Sequence, residues 1–132
     1  MLFILDFKII HSPGHTTGSL CVLFDAKFKE NESKEVEDTT SSVLFTGDLI
    51  MYSEEKKRLD GYKKYNKCQP WLQSRSMKML ANKDLTYSWI LPAHGRMMRF
   101  ETQEQRIKAV LVATRAFDKN ESMIGRYTIG YY

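Results

Sequence analysis

The chain has 132 residues, 42% hydrophobic and 12% aromatic, enough for one globular domain and too many for a wholly disordered segment. Its 20 Lys and Arg residues against 16 Asp and Glu give a net charge of +4, and the two signs are interspersed, so nucleic-acid binding is not the expected role. Two cysteines, Cys21 and Cys68, are too few for a disulfide framework or a thiolate metal site and point to reduced thiols inside a cell.

No apolar run approaches the roughly 20 residues of a membrane span. Asp6 and Lys8 interrupt the apolar start, and no small-residue cleavage site follows, so no signal peptide is expected. Leu2 to Ile10 reads as a first strand and Leu20 to Phe24 as a second. His11-Ser-Pro-Gly-His15-Thr-Thr-Gly-Ser19 joins them as a tight turn. Pro13 fixes one backbone angle there, and Gly14 and Gly18 permit conformations that other residues avoid. Lys27 to Asp38 is charged and poor in apolar residues, which predicts a solvated loop or a lengthened hairpin tip.

Val43 to Thr46 is a third strand, closed by Gly47-Asp48. The polar stretch from Tyr52 to Lys67 is expected to wrap over an edge of the fold with some helix. Pro70 suits a helix first turn, and Leu72, Met77 and Leu80 give that helix an apolar stripe as far as Ala81. Asn82-Lys-Asp84 ends it. Tyr87 to Leu91 is a fourth strand, closed by Pro92. Thr102 with Gln105 makes a capping-box pattern, after which Ile107, Val110, Leu111, Thr114 and Phe117 fall on one helical face. The tail from Gly125 to Tyr132 has no assigned structure.

Three strand ends carry a candidate ligand after a Gly or Pro: His15, Asp48 and His94. In an open sheet whose strands run the same way, such residues gather along one edge. Neutral imidazole and carboxylate donors suit Zn²⁺, Mn²⁺ or Fe²⁺, and a carboxylate can bridge two ions. Each residue also has a structural reading: His15 as a turn cap or a proton carrier, Asp48 as a loop or helix cap, His94 as a turn residue bonded to backbone. His11, on the strand side of Pro13, reads as structural. No serine nucleophile elbow and no phosphate loop is present.

The segments His11-Ser-Pro-Gly-His-Thr-Thr-Gly-Ser19, Leu44-Phe-Thr-Gly-Asp48 and Ile90-Leu-Pro-Ala-His-Gly95, in that order and rough spacing, resemble the third, fourth and fifth metal motifs of the metallo-β-lactamase superfamily. The similarity runs from Leu2 to about Phe117. The Tyr-Asn-Lys segment and the following Pro-Trp-Leu-Gln are similar to a branch found in plants and cyanobacteria. The resemblance implies an α/β fold, a four-layer αββα sandwich with one or two zinc ions between its halves. Iron or manganese would also suit. His15 then resembles the single histidine of the first metal, Asp48 the bridging aspartate on which catalysis turns, and His94 the last histidine of the second metal.

The superfamily's first motif, His-x-His-x-Asp-His, is absent, since the only histidines are His11, His15 and His94. The resemblance therefore covers the C-terminal half of the domain, residues 1–118, followed by a tail at 119–132. It implies a hydrolase in which metal-bound hydroxide attacks an ester, thioester, lactam or phosphodiester of a small-molecule substrate. With two protein ligands per ion, the isolated chain is expected to be inactive, and the surface that would meet the other half should be apolar and exposed. The alternative is a non-catalytic binding or regulatory half-domain that dimerises. The expected location is intracellular, in cytoplasm or an organelle such as a plastid.

Overall fold

The structure, a computed structural model, describes residues 2–29, 41–63 and 66–119, with side chains at 6–25, 42–63 and 66–119. In chain order the elements are β1 (Leu2–His11), β2 (Leu20–Lys29), β3 (Ser41–Gly47), β4 (Met51–Ser53), β5 (Arg58–Asp60), α1 (Pro70–Met79), β6 (Trp89–Pro92), β7 (Met98–Arg99) and α2 (Gln103–Asp118). The class is mixed α/β. A five-stranded sheet has the order β1-β2-β3-β6-β7, and β4-β5 forms a separate two-stranded ribbon.

The β1–β2 hairpin forms as the sequence implies, with His11 opposite Leu20 and Phe7 opposite Phe24. β2 pairs antiparallel with β3, and β3 pairs parallel with β6. Strands β1, β3 and β6 therefore run in one direction, and their C-terminal ends lie on one rim. A parallel neighbour needs a long crossover, and here β4, β5 and α1 supply it between β3 and β6.

One local expectation is corrected and another is resolved. The polar stretch from Tyr52 to Lys67 contains no helix among its described residues. It opens on the β4–β5 hairpin, where Tyr52 pairs with Leu59 and Lys57 turns the chain at φ 52°. Three-residue strands carry too little alternation to be seen in a sequence. Residues Lys27 to Lys29, read as a solvated loop or a lengthened hairpin tip, extend β2 in keeping with the second of these, because pairing with Leu2 to Ile4 of β1 overrides their poor strand propensity. The rest of that charged stretch, and the tail from Gly125, lie outside the described residues.

Successive residues of a strand face opposite sides of a sheet, and here both sides carry apolar residues. Ile10, Cys21, Leu44 and Ile90 point inward into one buried cluster with Met77 and Leu80 of α1 and Val110, Ala113 and Phe117 of α2. Burying each large aliphatic or aromatic side chain contributes about 1.5–3 kcal/mol. The alternate residues, Phe7 and Ile9 among them, face outward. α2 is capped as expected at Thr102, whose Oγ1 accepts from the Gln105 amide at 3.1 Å. The return bond differs from a simple capping box: Gln105 Oε1 accepts from the Glu101 amide, one residue earlier, at 2.7 Å.

The predicted apolar face of α2 is rotated. Val110, Thr114 and Phe117 are buried as expected, but Ile107 and Leu111 are only half-buried, and Arg106 is fully buried. The Arg106 guanidinium donates to Leu80 O at 2.6 Å and Asn82 O at 3.0 Å, just past the end of α1. A cation suits that helix terminus, and every bond it makes offsets the cost of burying the charge. The same guanidinium lies 4.7 Å from the Tyr87 ring centroid. The Tyr87 hydroxyl donates to Leu80 O at 3.0 Å.

Burial pushes the Tyr87 phenol up to about 12, with Arg106 pulling the other way. The folded-state value thus lies above that of the unfolded chain. The stability linked to it is complete below about pH 10 and is lost as pH rises towards 12. Urea denaturation should therefore report a loss of up to about 3 kcal/mol across that alkaline window, and Tyr87→Phe should flatten this pH dependence. An unchanged slope in the variant would mean another group controls alkaline unfolding.

Candidate metal centre

The rim formed by the ends of β1, β3 and β6 carries His15, Asp48 and His94, each one to four residues past its strand. The loop bearing His15 is knitted by its own polar groups. Ser12 N donates to Ser19 O at 2.9 Å, Gly14 N to Thr16 O at 3.0 Å, and Thr16 N to Ser19 Oγ at 3.0 Å. His11 Nε2 donates to Thr17 O at 2.8 Å, so His11 braces the loop from its strand side, in keeping with its structural reading.

The two loop glycines do not serve the purpose expected of them. Among the described residues the positive-φ glycines are Gly47 at 54° and Gly95 at 82°, the residues beside Asp48 and His94. Gly14 instead permits close approach: a Cβ there would lie 2.6 Å from Gln73 Cβ of α1. A Cβ on Gly18 would meet nothing within 4 Å.

Helix α1 grips the loops of both His15 and Asp48. Ser76 Oγ donates to Pro13 O at 2.7 Å, and the buried Gln73 side chain donates to Leu49 O at 2.8 Å. Asn66 Nδ2 donates to the other end of the Gln73 amide. The His15 carbonyl accepts from Lys67 N at 2.8 Å. The Asp48 loop is tied in turn to the His94 loop, since Ala93 N donates to Gly47 O at 2.9 Å. Gln73 and Ser76 were not singled out in the sequence. Their signal was two polar residues inside the turn-by-turn stripe that also buries Met77 and Leu80.

Asp48 stands between the two imidazoles. His15 Nε2 lies 3.7 Å from Asp48 Oδ2, and His94 Nε2 lies 3.4 Å from Asp48 Oδ1. Each histidine addresses a different carboxylate oxygen. Both separations exceed the 2.7–3.2 Å of an ordinary hydrogen bond. Two donors at about 2.1 Å from one tetrahedral ion stand about 3.4 Å apart. The spacing therefore fits an ion between each pair, with Asp48 shared.

Among the described residues no three His, Cys, Asp or Glu side chains are grouped to hold a single ion. Each candidate pair offers two donor side chains. His94 is the open side of the site, its side chain 64% exposed. His15 Nδ1 is buried without a hydrogen-bond partner among the described residues, so no acceptor among them fixes its tautomer. Cys21 lies beneath the rim but is not a donor to it. Burial raises its thiol pKa, only partly countered by the Ser12 hydroxyl at 3.2 Å, and a raised pKa makes a poor thiolate ligand or nucleophile.

Comparison of the chain with protein-family models, with curated proteins and with solved structures finds no match.

The two loop glycines should separate cleanly in a stability measurement. Gly14→Ala forces Gln73 and the loop apart and should cost about 1–3 kcal/mol in urea denaturation. Gly18→Ala should stay within about 0.5 kcal/mol of the parent. Equal effects at both positions would show that the Gly14–Gln73 contact does not constrain the loop.

Proposed function

We propose that this chain is the metal-holding half of a metal-dependent hydrolase of the metallo-β-lactamase type. In this reading Asp48 together with His15 and His94 would hold one or two zinc ions, the carboxylate being the donor common to both histidines. Iron or manganese suits the same donors. The observation that carries this reading is the placement of two imidazole nitrogens 3.7 and 3.4 Å from the two separate oxygens of one carboxylate. The order of the three motifs along the chain supports it. A mixed sheet with helices lining one side and an apolar opposite side is also the form expected of the C-terminal half of a four-layer αββα sandwich.

Bound there, the ions would polarise a scissile carbonyl or phosphoryl group and generate a nucleophile from water at neutral pH. The chain's residues have distinct tasks. Asp48 fixes the spacing of the pair and supplies negative charge between them. Gln73 and Ser76 hold the His15 and Asp48 loops against α1, so that the donors do not have to be ordered when an ion arrives. His94, on the exposed side, leaves room for a small ester, thioester, lactam or phosphodiester.

Two donors per ion fall short of the three or four usual for zinc. Among the described residues the reading therefore calls for further donors, and the isolated chain is expected to be inactive. The free thiols Cys21 and Cys68 support an intracellular setting. Among the described residues no helix is long and apolar enough to cross a membrane. A second reading, a non-catalytic module that dimerises, is favoured by the outer face of the sheet.

Zinc titration by calorimetry, with metal content measured on the same sample, tests the reading without relying on activity. Asp48→Asn should weaken every bound ion by at least about tenfold, or about 1.4 kcal/mol. His15→Ala and His94→Ala should each weaken one ion and spare the other. Zinc affinity unchanged by Asp48→Asn would overturn the assignment.

A further inference from the structure

The outer side of the sheet carries two apolar rows that run straight across four strands. The first is Ile9, Val22, Phe45 and Leu91, and the second is Phe7, Phe24, Val43 and Trp89, each residue paired with the next in register. Among the described residues no element packs over them: Phe7 is 67% exposed, Ile9 68% and Phe45 45%. Leu20, 49% exposed, extends the patch towards the rim. Neither row contains a charged side chain, and the flanking Arg99 guanidinium lies over the Trp89 ring at its edge.

A sheet that faces water on one side alternates apolar with polar residues, whereas one buried on both sides reads as continuous apolar runs. Across β2, β3 and β6 the outer and inner rows approach the second pattern, which Asp6, Lys8 and Asp25 break on the inner side of β1 and β2. Four strands about 4.8 Å apart, with about five residues each at 3.3 Å, span a plane of roughly 320 Å² before side-chain relief is added. The largest apolar patch of an ordinary monomer is about 300–600 Å² and is itself often functional. Side-chain relief brings the face towards the roughly 600 Å² per partner at which weak, transient interfaces pass into standard-sized ones of about 800 Å². Its lack of charge gives a nucleic acid or an acidic peptide nothing to hold.

We propose that a second copy of this chain covers this face, sheet against sheet, about a two-fold axis running along the strands. Such an axis keeps the strand direction the same in both copies. It therefore sets the two rims side by side, with the sheets about 10 Å apart. Each pair of donors, short of a full set, then faces a second His15, Asp48 and His94. The contact between faces stands without any metal. The completion of the ligand sets rests on the metal reading above.

The experiment separates the two. With a chelator present, sedimentation equilibrium of the full chain at tens of micromolar should give a dimer. Phe7→Glu combined with Ile9→Glu should give a monomer with an unchanged circular dichroism spectrum. Val112→Glu, on the outer surface of α2, should leave the dimer intact. A wild-type monomer or a large aggregate would overturn the proposal. So would a dimer that survives the double substitution, since it would be joined elsewhere, such as along the free edge of β1. Zinc is then added to both proteins. The monomeric variant, with His15, Asp48 and His94 all intact, should bind at least tenfold more weakly than the dimer. Equal zinc affinity in the two would overturn the joining of the rims. Absence of zinc binding in both would remove the metal reading and leave the face-to-face dimer standing.

Discussion

The parallel pairing of β3 with β6 is the constraint on which the rest depends. Antiparallel neighbours alone would send successive strand ends to opposite rims. Because β3 and β6 run together, and β1 runs with them through the intervening β2, three loops emerge at one place. The crossover that parallel pairing demands also brings α1 back beneath those loops, where Gln73 and Ser76 hold them. The site and the helix that supports it therefore have one topological cause.

Much of this was legible in the chain. The strands at Leu2, Leu20, Val43 and Trp89 are dense apolar runs that end in Gly, Pro or a polar turn. The convergence of His15, Asp48 and His94 could be anticipated from three strand ends that each place a donor after a turn residue. The β4–β5 hairpin could not, because Met51–Ser53 and Arg58–Asp60 are too short for a period to emerge. Nor could the burial of Arg106: a charged residue at a helical position reads as solvated until two carbonyls past the end of another helix are found to face it.

The glycines make the same point in a different way. Their presence in the His15 loop suggested unusual backbone angles, yet Gly14 is needed for its missing side chain and Gly18 for neither reason. Which role a glycine plays depends on what stands opposite it, and that is fixed by α1, sixty residues away in the chain. The outer sheet face was partly legible too. An exposed apolar surface followed from the absent first motif, but the two unbroken rows across four strands depend on register, which hydrophobicity alone does not set.

The contact of Gly14 with Gln73 leaves the His15 loop no room to slide over α1, and the Ser76 and Lys67 bonds hold it from either side. Loop and helix thus move as one rigid lever, without a hinge between them. Any event that displaces His15, from an arriving ion to a docking subunit, must be felt in the backbone of α1. Amide exchange along that helix would then register what happens at the rim.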